Sequence, residues 1–143
     1  MEILERAYAK LNISLDTPFA HADGEQEWDM LMVAIDLADT VTIRTTTDHQ
    51  EIIVESTSGL LPLNEKNLAY QAAELMRERA GVSEGVEIHI DKHIPVAAGL
   101  GGGSSDAAAV LRGLNKIWHM TLTEAQLAEI GLKIDADVPF CVY

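Results

Sequence analysis

The sequence predicts an α+β domain. Segments with apolar residues at every second position prevail before residue 60, and segments with apolar residues three and four apart follow from residue 67. Hydrophobic residues make up 48% of the 143-residue chain, which is enough for one sizeable core and argues against a disordered tail. The chain contains no repeat, no low-complexity tract and no linker, so we expect one domain, either alone or as the first part of a larger protein.

Five segments are predicted to be strands. Residues 6–15 alternate between apolar and polar side chains, with Leu11 on the apolar face, which indicates a half-buried strand. Residues 30–37 are apolar almost throughout, as expected of a strand that is covered on both faces. Residues 17–27 contain proline and glycine and are predicted to be a loop. The other predicted strands span residues 41–46, 51–56 and 86–91.

Three helices are predicted after residue 66. Residues 67–80 carry apolar side chains three and four positions apart and are followed by Gly81, which is a typical stop signal. Residues 105–118 form an alanine-rich amphipathic segment directly after a glycine-rich turn. Thr123 and Gln126 have the spacing of a capping box, which predicts the start of a short third helix.

Composition and charge argue against several classes of protein. Ten Lys and Arg against 23 Asp and Glu give a net charge of −13, so the chain lacks the basic surface of a nucleic-acid binder. No apolar stretch approaches the ~20 residues that cross a bilayer. The five histidines are scattered, so no zinc site is predicted. The lone cysteine, Cys141, cannot form an internal disulfide and the N-terminus lacks a signal-peptide pattern, so we expect a cytoplasmic protein.

The most informative segment is a glycine-rich stretch between a predicted strand and a predicted helix. Residues 99–103 contain four glycines, which let the backbone turn tightly and let a ligand approach without a Cβ in the way. The free N–H groups and the dipole of the following helix attract phosphate, and Ser104 and Ser105 can cap that helix or face a phosphate. The pattern matches neither a Walker A motif nor a Rossmann fingerprint. The alternative interpretation is a tight turn that binds no ligand.

Four segments resemble those of the GHMP kinases and occur in the same order. They are residues 7–12 (Ala-Tyr-Ala-Lys-Leu-Asn), 66–70 (Lys-Asn-Leu-Ala-Tyr), 95–105 (Pro-Val-Ala-Ala-Gly-Leu-Gly-Gly-Gly-Ser-Ser) and 137–140 (Asp-Val-Pro-Phe). The resemblance implies the fold of a GHMP kinase N-terminal domain, in which a mixed β-sheet packs with helices. It also implies a longer, two-domain protein, so we expect residues 1–143 to be the ATP-binding domain and the C-terminal domain to be absent from this chain.

The resemblance implies phosphoryl transfer from ATP to an alcohol, with magnesium held through the ATP phosphates. Among the GHMP kinases, the four segments are most similar to those of enzymes that phosphorylate the 2-hydroxyl of a cytidyl-diphospho-methylerythritol in the non-mevalonate isoprenoid pathway. The implied partner is this small molecule or a similar alcohol. We expect the 143 residues alone to turn over ATP very slowly, because the second domain closes one side of the cleft.

The resemblance also implies roles for individual residues. Asp137 is similar to the family's catalytic base, and Lys10, on the polar face of the first strand, is similar to its partner lysine. Asn67 is similar to the residue that reads adenine, and Asn12 is expected to orient the substrate or Lys10. Ser105 is a candidate ligand for magnesium. The ATP phosphates are expected against Pro95, Val96, Ala97, Ala98, Gly99, Leu100, Gly101, Gly102, Gly103, Ser104 and Ser105.

Without the resemblance, three of these side chains have simpler interpretations. Lys10 is typical of a solvated strand residue, Asp137 of a turn residue and Asn67 of a helix N-cap. Two alternatives to the cytidyl kinase stay open on the same evidence. In the first alternative, the chain is a partner-binding relative that shares only the fold. In the second, it is an inactive fragment of a kinase that still binds nucleotide.

The sequence departs from the family at two places. Glu25 and Gln26 stand where the family has Tyr and His, which is expected to weaken binding of a cytidyl diphosphate because a stacking ring is lost and a carboxylate is gained. Trp28 is a candidate replacement for the ring. Asp135 stands where the family has Gly, and its carboxylate is expected either to repel charge on Asp137 or to attract magnesium. These departures favour a third alternative, a divergent GHMP kinase with another alcohol substrate.

Overall fold

A four-stranded sheet with helices packed on it makes up the described part of the chain. The structure is a computed structural model that describes residues 1–20, 26–96 and 102–143, with only the backbone of residues 12–20 and 26–32. In chain order, the elements are β1 (Glu2–Ala20), β2 (Gln26–Thr46), β3 (Ile52–Ser56), α1 (Leu68–Ala80), β4 (Gly85–Asp91), α2 (Gly102–Ile117), α3 (Glu124–Leu132) and α4 (Val138–Val142).

The sheet is mixed, as predicted. Its strand order is β1-β2-β4-β3, in which β1–β2 and β2–β4 pair antiparallel and β3–β4 pair parallel. The parallel pair needs a crossover, and α1 supplies it between β3 and β4. The fold is therefore the α+β arrangement that the alternating and helical patterns predict.

The β1–β2 hairpin is longer than predicted. The strands predicted at residues 30–37 and 41–46 are one continuous strand, and residues 17–20 and 26–27 of the predicted loop belong to β1 and β2. Residues 21–25 lie outside the described ranges. The prediction that residues 30–37 are covered on both faces is wrong for Val33, which is 37% exposed. The reason is that β4 pairs only with the last part of β2, from Thr40 onward, so the described hairpin extends beyond the four-stranded region.

A register irregularity interrupts the β1–β2 hairpin next to Lys10. Tyr8 pairs with Ala38 but Lys10 pairs with Ala34, so β2 contributes extra residues opposite Ala9. Bulges of this kind bend a strand and re-aim its side chains. Lys10, which was predicted on the polar face of the first strand, is 2% exposed, whereas Tyr8 is 43% exposed.

Two apolar side chains next to this irregularity are exposed. Leu11 pairs with Val33, and these side chains are 41% and 37% exposed. Leu11 was predicted on the buried face, and that prediction is wrong because the two-residue alternation does not continue through the bulge.

The helices begin and end at clear local signals. Asn67 caps α1 through its side chain, and Gly81 ends it with a φ of +69° that favours glycine. Thr123 and Gln126 form the predicted capping box of α3. α2 begins at Gly102, three residues before the predicted start. None of the helices in the described ranges has the length and apolar content needed to span a bilayer.

The core lies between the sheet and α2. This helix packs on β1 and β2, and it also contacts α1, α3 and α4. Its inward surface contains Ala107, Ala108 and Ala109, all fully buried, whose small side chains let the helix approach the sheet closely. Because α2 begins directly after the glycine-rich stretch, the best-packed helix of the domain positions the end of that stretch.

Candidate active site

Lys10 and Asp137 form an ion pair across the fold. The Lys10 Nζ atom lies 3.2 Å from Asp137 Oδ2, although the two residues are 127 positions apart in the sequence. Lys10 comes from β1 after the bulge, and Asp137 directly precedes α4. The Lys10 side chain is 3% exposed and that of Asp137 is 45% exposed. The cation is therefore buried behind a carboxylate that faces solvent, where a substrate can reach it.

Asp135 connects Asp137 to the beginning of α2. Its Oδ1 atom accepts the backbone N–H of Asp137 at 2.9 Å and lies 3.5 Å from the hydroxyl of Ser104. This carboxylate thus orders the turn before α4, which is a role that the sequence did not indicate. The described ranges contain no cluster of three or more His, Cys, Asp or Glu that is suited to a metal ion. Attraction of magnesium by Asp135 therefore stays a prediction.

Only the last two residues of the glycine-rich stretch, Gly102 and Gly103, are described. Pro95 and Val96 precede it, and Ala97, Ala98, Gly99, Leu100 and Gly101 lie outside the described residues. Ser104 and Ser105 were predicted as possible caps, but both lie within the first turns of α2 and are buried. The prediction was wrong because the helix begins at Gly102 rather than after the glycines. The first turn of a helix has N–H groups without intrahelical acceptors, and here those belong to Gly102 and its neighbours.

Asn67 lies at the same end of the domain. Its Oδ1 atom accepts the N–H of Ala69 at 2.8 Å, and its Nδ2 atom donates to the carbonyl of Pro62 at 2.8 Å. The side chain of Leu68, the next residue, would be 3.7 Å from a Cβ at Gly103. The start of α1 therefore adjoins the start of α2. Asn67 fixes the start of α1, and its contact with adenine stays a prediction.

Two further predicted positions lie on the hairpin. Asn12 pairs with Met32 through the backbone, two residues beyond Lys10, and its side chain is not described. Glu25 lies outside the described ranges, and for Gln26 and Trp28 only the backbone, in β2, is described. The roles predicted for these side chains stay predictions.

Arg112 links the two elements that supply the ion pair, and the sequence did not single it out. From the middle of α2, its Nη1 atom donates to the carbonyl of Cys141 and its Nη2 atom to that of Arg6, each at 2.8 Å. Arg6 lies four residues before Lys10 on β1, and Cys141 lies four residues after Asp137 in α4. One guanidinium therefore holds β1 and α4 at a fixed separation, since its fork makes both contacts at once.

A second cluster of charges is buried beside the glycine-rich stretch. Asp39 is fully buried and its Oδ2 atom lies 2.5 Å from Lys92 Nζ. Lys92 also lies 3.2 Å from Asp106 Oδ2, and Asp106 is 1% exposed. A signal in the sequence was available, because Asp106 lies four residues before Val110 on the inward stripe of α2. A carboxylate at such a position requires a partner, and Lys92 is that partner.

The two carboxyl groups of this cluster have opposite pKa shifts. Burial raises the pKa of Asp106 to about 9, and its hydrogen bond with Asp39 adds to the rise, while Lys92 opposes it. For Asp39, burial also acts to raise the pKa. Hydrogen bonds from Asp106, the amides of Ile94 and His93, and Lys92 outweigh it, so the pKa of Asp39 lies below 3.8. Asp106 therefore carries a proton at neutral pH, which leaves the cluster with one cation and one anion.

Replacing Asp106 by Asn is expected to remove a pH dependence of stability. The folded chain holds a proton on Asp106 up to about pH 9, whereas the unfolded carboxyl loses it near pH 3.8. The free energy of unfolding of the parent should therefore fall as pH rises through this window. Urea unfolding at pH 5, 7 and 8.5 measures it, and the Asp106→Asn chain should show a smaller fall. Equal slopes for the two chains would contradict a protonated Asp106.

Cys141 is expected to be unreactive in the folded chain. Burial raises the pKa of its thiol to about 11. Because the thiolate is the reactive form, alkylation by iodoacetamide at pH 7 should be about 100-fold slower than that of free cysteine. Mass spectrometry of the alkylated chain, with and without urea, measures the difference. Rapid labelling without urea would show that the thiol is accessible and ionised.

Comparison with known proteins gives the chain a family. A family described as "GHMP kinases N terminal domain" matches residues 67–143. The 4-diphosphocytidyl-2-C-methyl-D-erythritol kinase of Ligilactobacillus salivarius (strain UCC118) is 62% identical over the whole chain, which covers 50% of that protein. The protein of the same name from Levilactobacillus brevis (strain ATCC 367) is 59% identical with the same coverage. The chain therefore spans about half the length of the curated relatives that it matches.

Solved structures agree. A crystal structure of 4-(cytidine 5'-diphospho)-2C-methyl-D-erythritol kinase has a TM-score of 0.72 at 37% identity, over 99% of this chain and 48% of that one. Homoserine kinase from Cytophaga hutchinsonii has the same TM-score at 22% identity, over 99% and 42%, which shows a shared fold. The family of GHMP kinase N-terminal domains matches more than half of the chain, and the solved structures share its fold. The chain belongs to the GHMP kinases, as an N-terminal domain.

Proposed function

We propose that this chain is the ATP-binding half of a small-molecule kinase whose acceptor is the 2-hydroxyl of 4-diphosphocytidyl-2-C-methyl-D-erythritol. The observation that carries the proposal is the contact of Lys10 with Asp137. Two residues from opposite ends of the chain meet at 3.2 Å, at the positions that resemble the family's catalytic pair. A solvated lysine and an unrelated turn residue would have no reason to meet there, so the geometry supports a shared site.

The roles of the pair follow from its geometry. Asp137 is 45% exposed and is a general base for the acceptor hydroxyl, because its carboxylate faces the solvent side of the pair. Lys10 is buried behind it and orients the carboxylate, and its charge stabilises negative charge that develops on the transferred group. Arg112 keeps the strand and the helix that carry the pair in place.

The nucleotide is proposed to bind where α1 and α2 begin. Bound ATP, with magnesium on its phosphates, supplies the phosphoryl group. The N–H groups of Gly102, Gly103 and Ser104 point along the axis of α2 toward its N-terminal end, where the helix dipole favours an anion. Residues 95–101 are proposed to make further contacts with the phosphates, and Ser105 is the candidate magnesium ligand. Asn67 borders the adenine, since α1 starts beside Gly103.

The acceptor is supported by the relatives rather than by the described side chains. The proteins that match at 59–62% identity carry the name of the cytidyl kinase. Asn12, two residues beyond Lys10, is proposed to contact this substrate. Glu25 and Gln26 favour a second candidate, a GHMP kinase with another alcohol acceptor, because a stacking ring is missing from the cytidine side.

A chimera tests the proposal. The chain would replace the N-terminal half of the Ligilactobacillus salivarius kinase, and release of ADP would be measured with 4-diphosphocytidyl-2-C-methyl-D-erythritol as acceptor. We expect turnover of about 1–100 per second, which is typical of kinases. A folded chimera that is silent on this acceptor but active on another alcohol would favour the second candidate. A chimera that is silent on every acceptor would contradict both.

The double substitution Glu25→Tyr with Gln26→His separates the two candidates further. A large rise in kcat/KM for the cytidyl acceptor would show that the parent is built for another alcohol. A low kcat/KM that the substitutions leave unchanged would favour the second candidate, whereas an unchanged high kcat/KM would show that the site holds the cytidyl group without that ring. The parent chimera at the same expression level is the matched control.

A further inference from the structure

The buried cluster of Asp39, Lys92 and Asp106 joins the two described segments that flank residues 97–101. Asp39 lies on β2, Lys92 directly after β4, and Asp106 in α2. Lys92 therefore touches both sides, since its Nζ atom contacts Asp39 at 2.5 Å and Asp106 at 3.2 Å. The Lys92 ammonium group therefore connects the chain segment before the glycine-rich stretch with the helix that follows it.

Asp39 also holds the backbone that leads into the stretch. Its Oδ1 atom accepts the N–H of His93 at 2.7 Å and that of Ile94 at 2.8 Å. The Asp39 carboxylate therefore fixes the backbone at His93 and Ile94, because a displacement of this backbone would break its hydrogen bonds to the carboxylate. Pro95, the first residue of the predicted phosphate loop, follows directly.

The other end of the stretch rests on the same cluster. A Cβ at Gly102 would lie 3.0 Å from Lys92 Nζ and 3.1 Å from Ile94 Cγ2, so the first residue of α2 packs directly against both. Asp106, one turn later, binds Lys92 from the helix side. Among the described side chains, the Asp106 Oδ1 atom is buried without a hydrogen-bond partner.

The composition of the cluster argues for a positional role. A buried ion pair is often no more stabilising than apolar residues of similar volume, so burial of these charges is poorly explained by stability. Directional contacts to backbone amides, by contrast, fix geometry in a way that apolar packing does not.

We propose that Asp39, Lys92 and Asp106 are positioning residues of the nucleotide site, which set the start of α2 against the backbone at His93 and Ile94. This inference rests on the proposed function, in which the first amides of α2 bind the ATP phosphates. Displacement of those amides by a fraction of an ångström weakens every hydrogen bond to the phosphates together. The cluster thus acts on the nucleotide without touching it.

The test compares variants of Asp106 in the 143-residue chain. Binding of the non-hydrolysable nucleotide AMPPNP with Mg²⁺ would be followed through the ¹⁵N amide signals of Gly102, Gly103 and Ser104. Asp106→Ala keeps the Lys92–Asp39 pair but removes the contact to α2, and it should weaken binding by about tenfold or more. Asp106→Asn, which preserves a donor and an acceptor, should restore binding to within about threefold of the parent. Ile130→Val, a mild core change in α3, is the control and should leave binding unchanged.

A measurement on the parent chain covers the case in which Asp106→Ala does not fold. Because coupling between sites is reciprocal, AMPPNP with Mg²⁺ should slow hydrogen exchange at the His93 and Ile94 amides by about fivefold or more. If the parent binds AMPPNP and Asp106→Ala binds it equally well, the positioning role is overturned while the proposed function stands. If Asp106→Ala is unfolded, the positioning role is overturned when the nucleotide does not change hydrogen exchange at the His93 and Ile94 amides of the parent. Absence of binding in the parent chain would instead contradict the proposed nucleotide site.

Discussion

Replacing Asp137 by Asn is expected to lower kcat of the chimera by about 10²–10⁴-fold, which is the contribution of a well-placed general base. Asn has the size of Asp and keeps an oxygen near Lys10, but it cannot accept the proton of the acceptor hydroxyl. KM for ATP should change little, because the start of α2, rather than Asp137, is proposed to bind the phosphates. ADP release at saturating substrates measures the effect.

The control for this prediction is Glu129→Gln, the same change of charge at an exposed position of α3. It should leave kcat within about threefold of the parent, because an isolated surface charge contributes little. If Asp137→Asn kept kcat at the level of Glu129→Gln, Asp137 would not be the base. Circular dichroism of both variants shows that the comparison is between folded proteins.

Replacing Lys92 by Met is expected to lower the free energy of unfolding by about 3–5 kcal/mol, because it removes the cation from a buried pair and leaves Asp39 uncompensated. The Lys92 side chain is 5% exposed and that of Asp39 is fully buried, so water cannot replace the lost ammonium. The amides of His93 and Ile94 still reach Asp39 Oδ1, but its other oxygen loses its 2.5 Å partner. Urea denaturation followed by tryptophan fluorescence measures the loss.

Lys116→Met is the matched control. Lys116 forms an ion pair with Glu5 at 2.6 Å, but its side chain is 60% exposed. Removal of this pair should cost about 0–1 kcal/mol, because the Lys116 ammonium is largely in water and the Glu5 carboxylate keeps a second cation, Arg112 Nε at 3.5 Å. Equal losses for the two Lys→Met variants would show that burial of the Lys92 cluster carries no energetic weight.

Local signals in the sequence predicted most of the helices. The capping box at Thr123 and Gln126 and the stop at Gly81 depend on residues within one turn, so they are legible without the fold. α4 was not predicted, because its five residues are too short to show a helical period. The contact of Lys10 with Asp137 was anticipated through the family resemblance, since spacing alone says nothing about residues 127 positions apart.

The features that the sequence did not predict depend on pairing between distant segments. The bulge beside Lys10 is a mismatch of register between β1 and β2, and an alternating pattern in one strand does not show how many residues its neighbour contributes. The cluster around Lys92 joins β2, the end of β4 and α2. The sequences of β2 and of the end of β4 contain no signal of this contact. Only the position of Asp106 on an otherwise apolar helix stripe indicated that a buried partner exists.

The order of the site residues along the chain has a consequence during synthesis. Ser105 leaves the ribosome 32 residues before Asp137, an interval of about 2–6 s at ordinary elongation rates. On the proposed mechanism, a nascent chain therefore acquires the means to capture nucleotide before it acquires the base that consumes it. Nucleotide binding and catalysis are therefore acquired at different times during translation. A polypeptide that ends before Asp137 lacks the proposed base for consuming ATP.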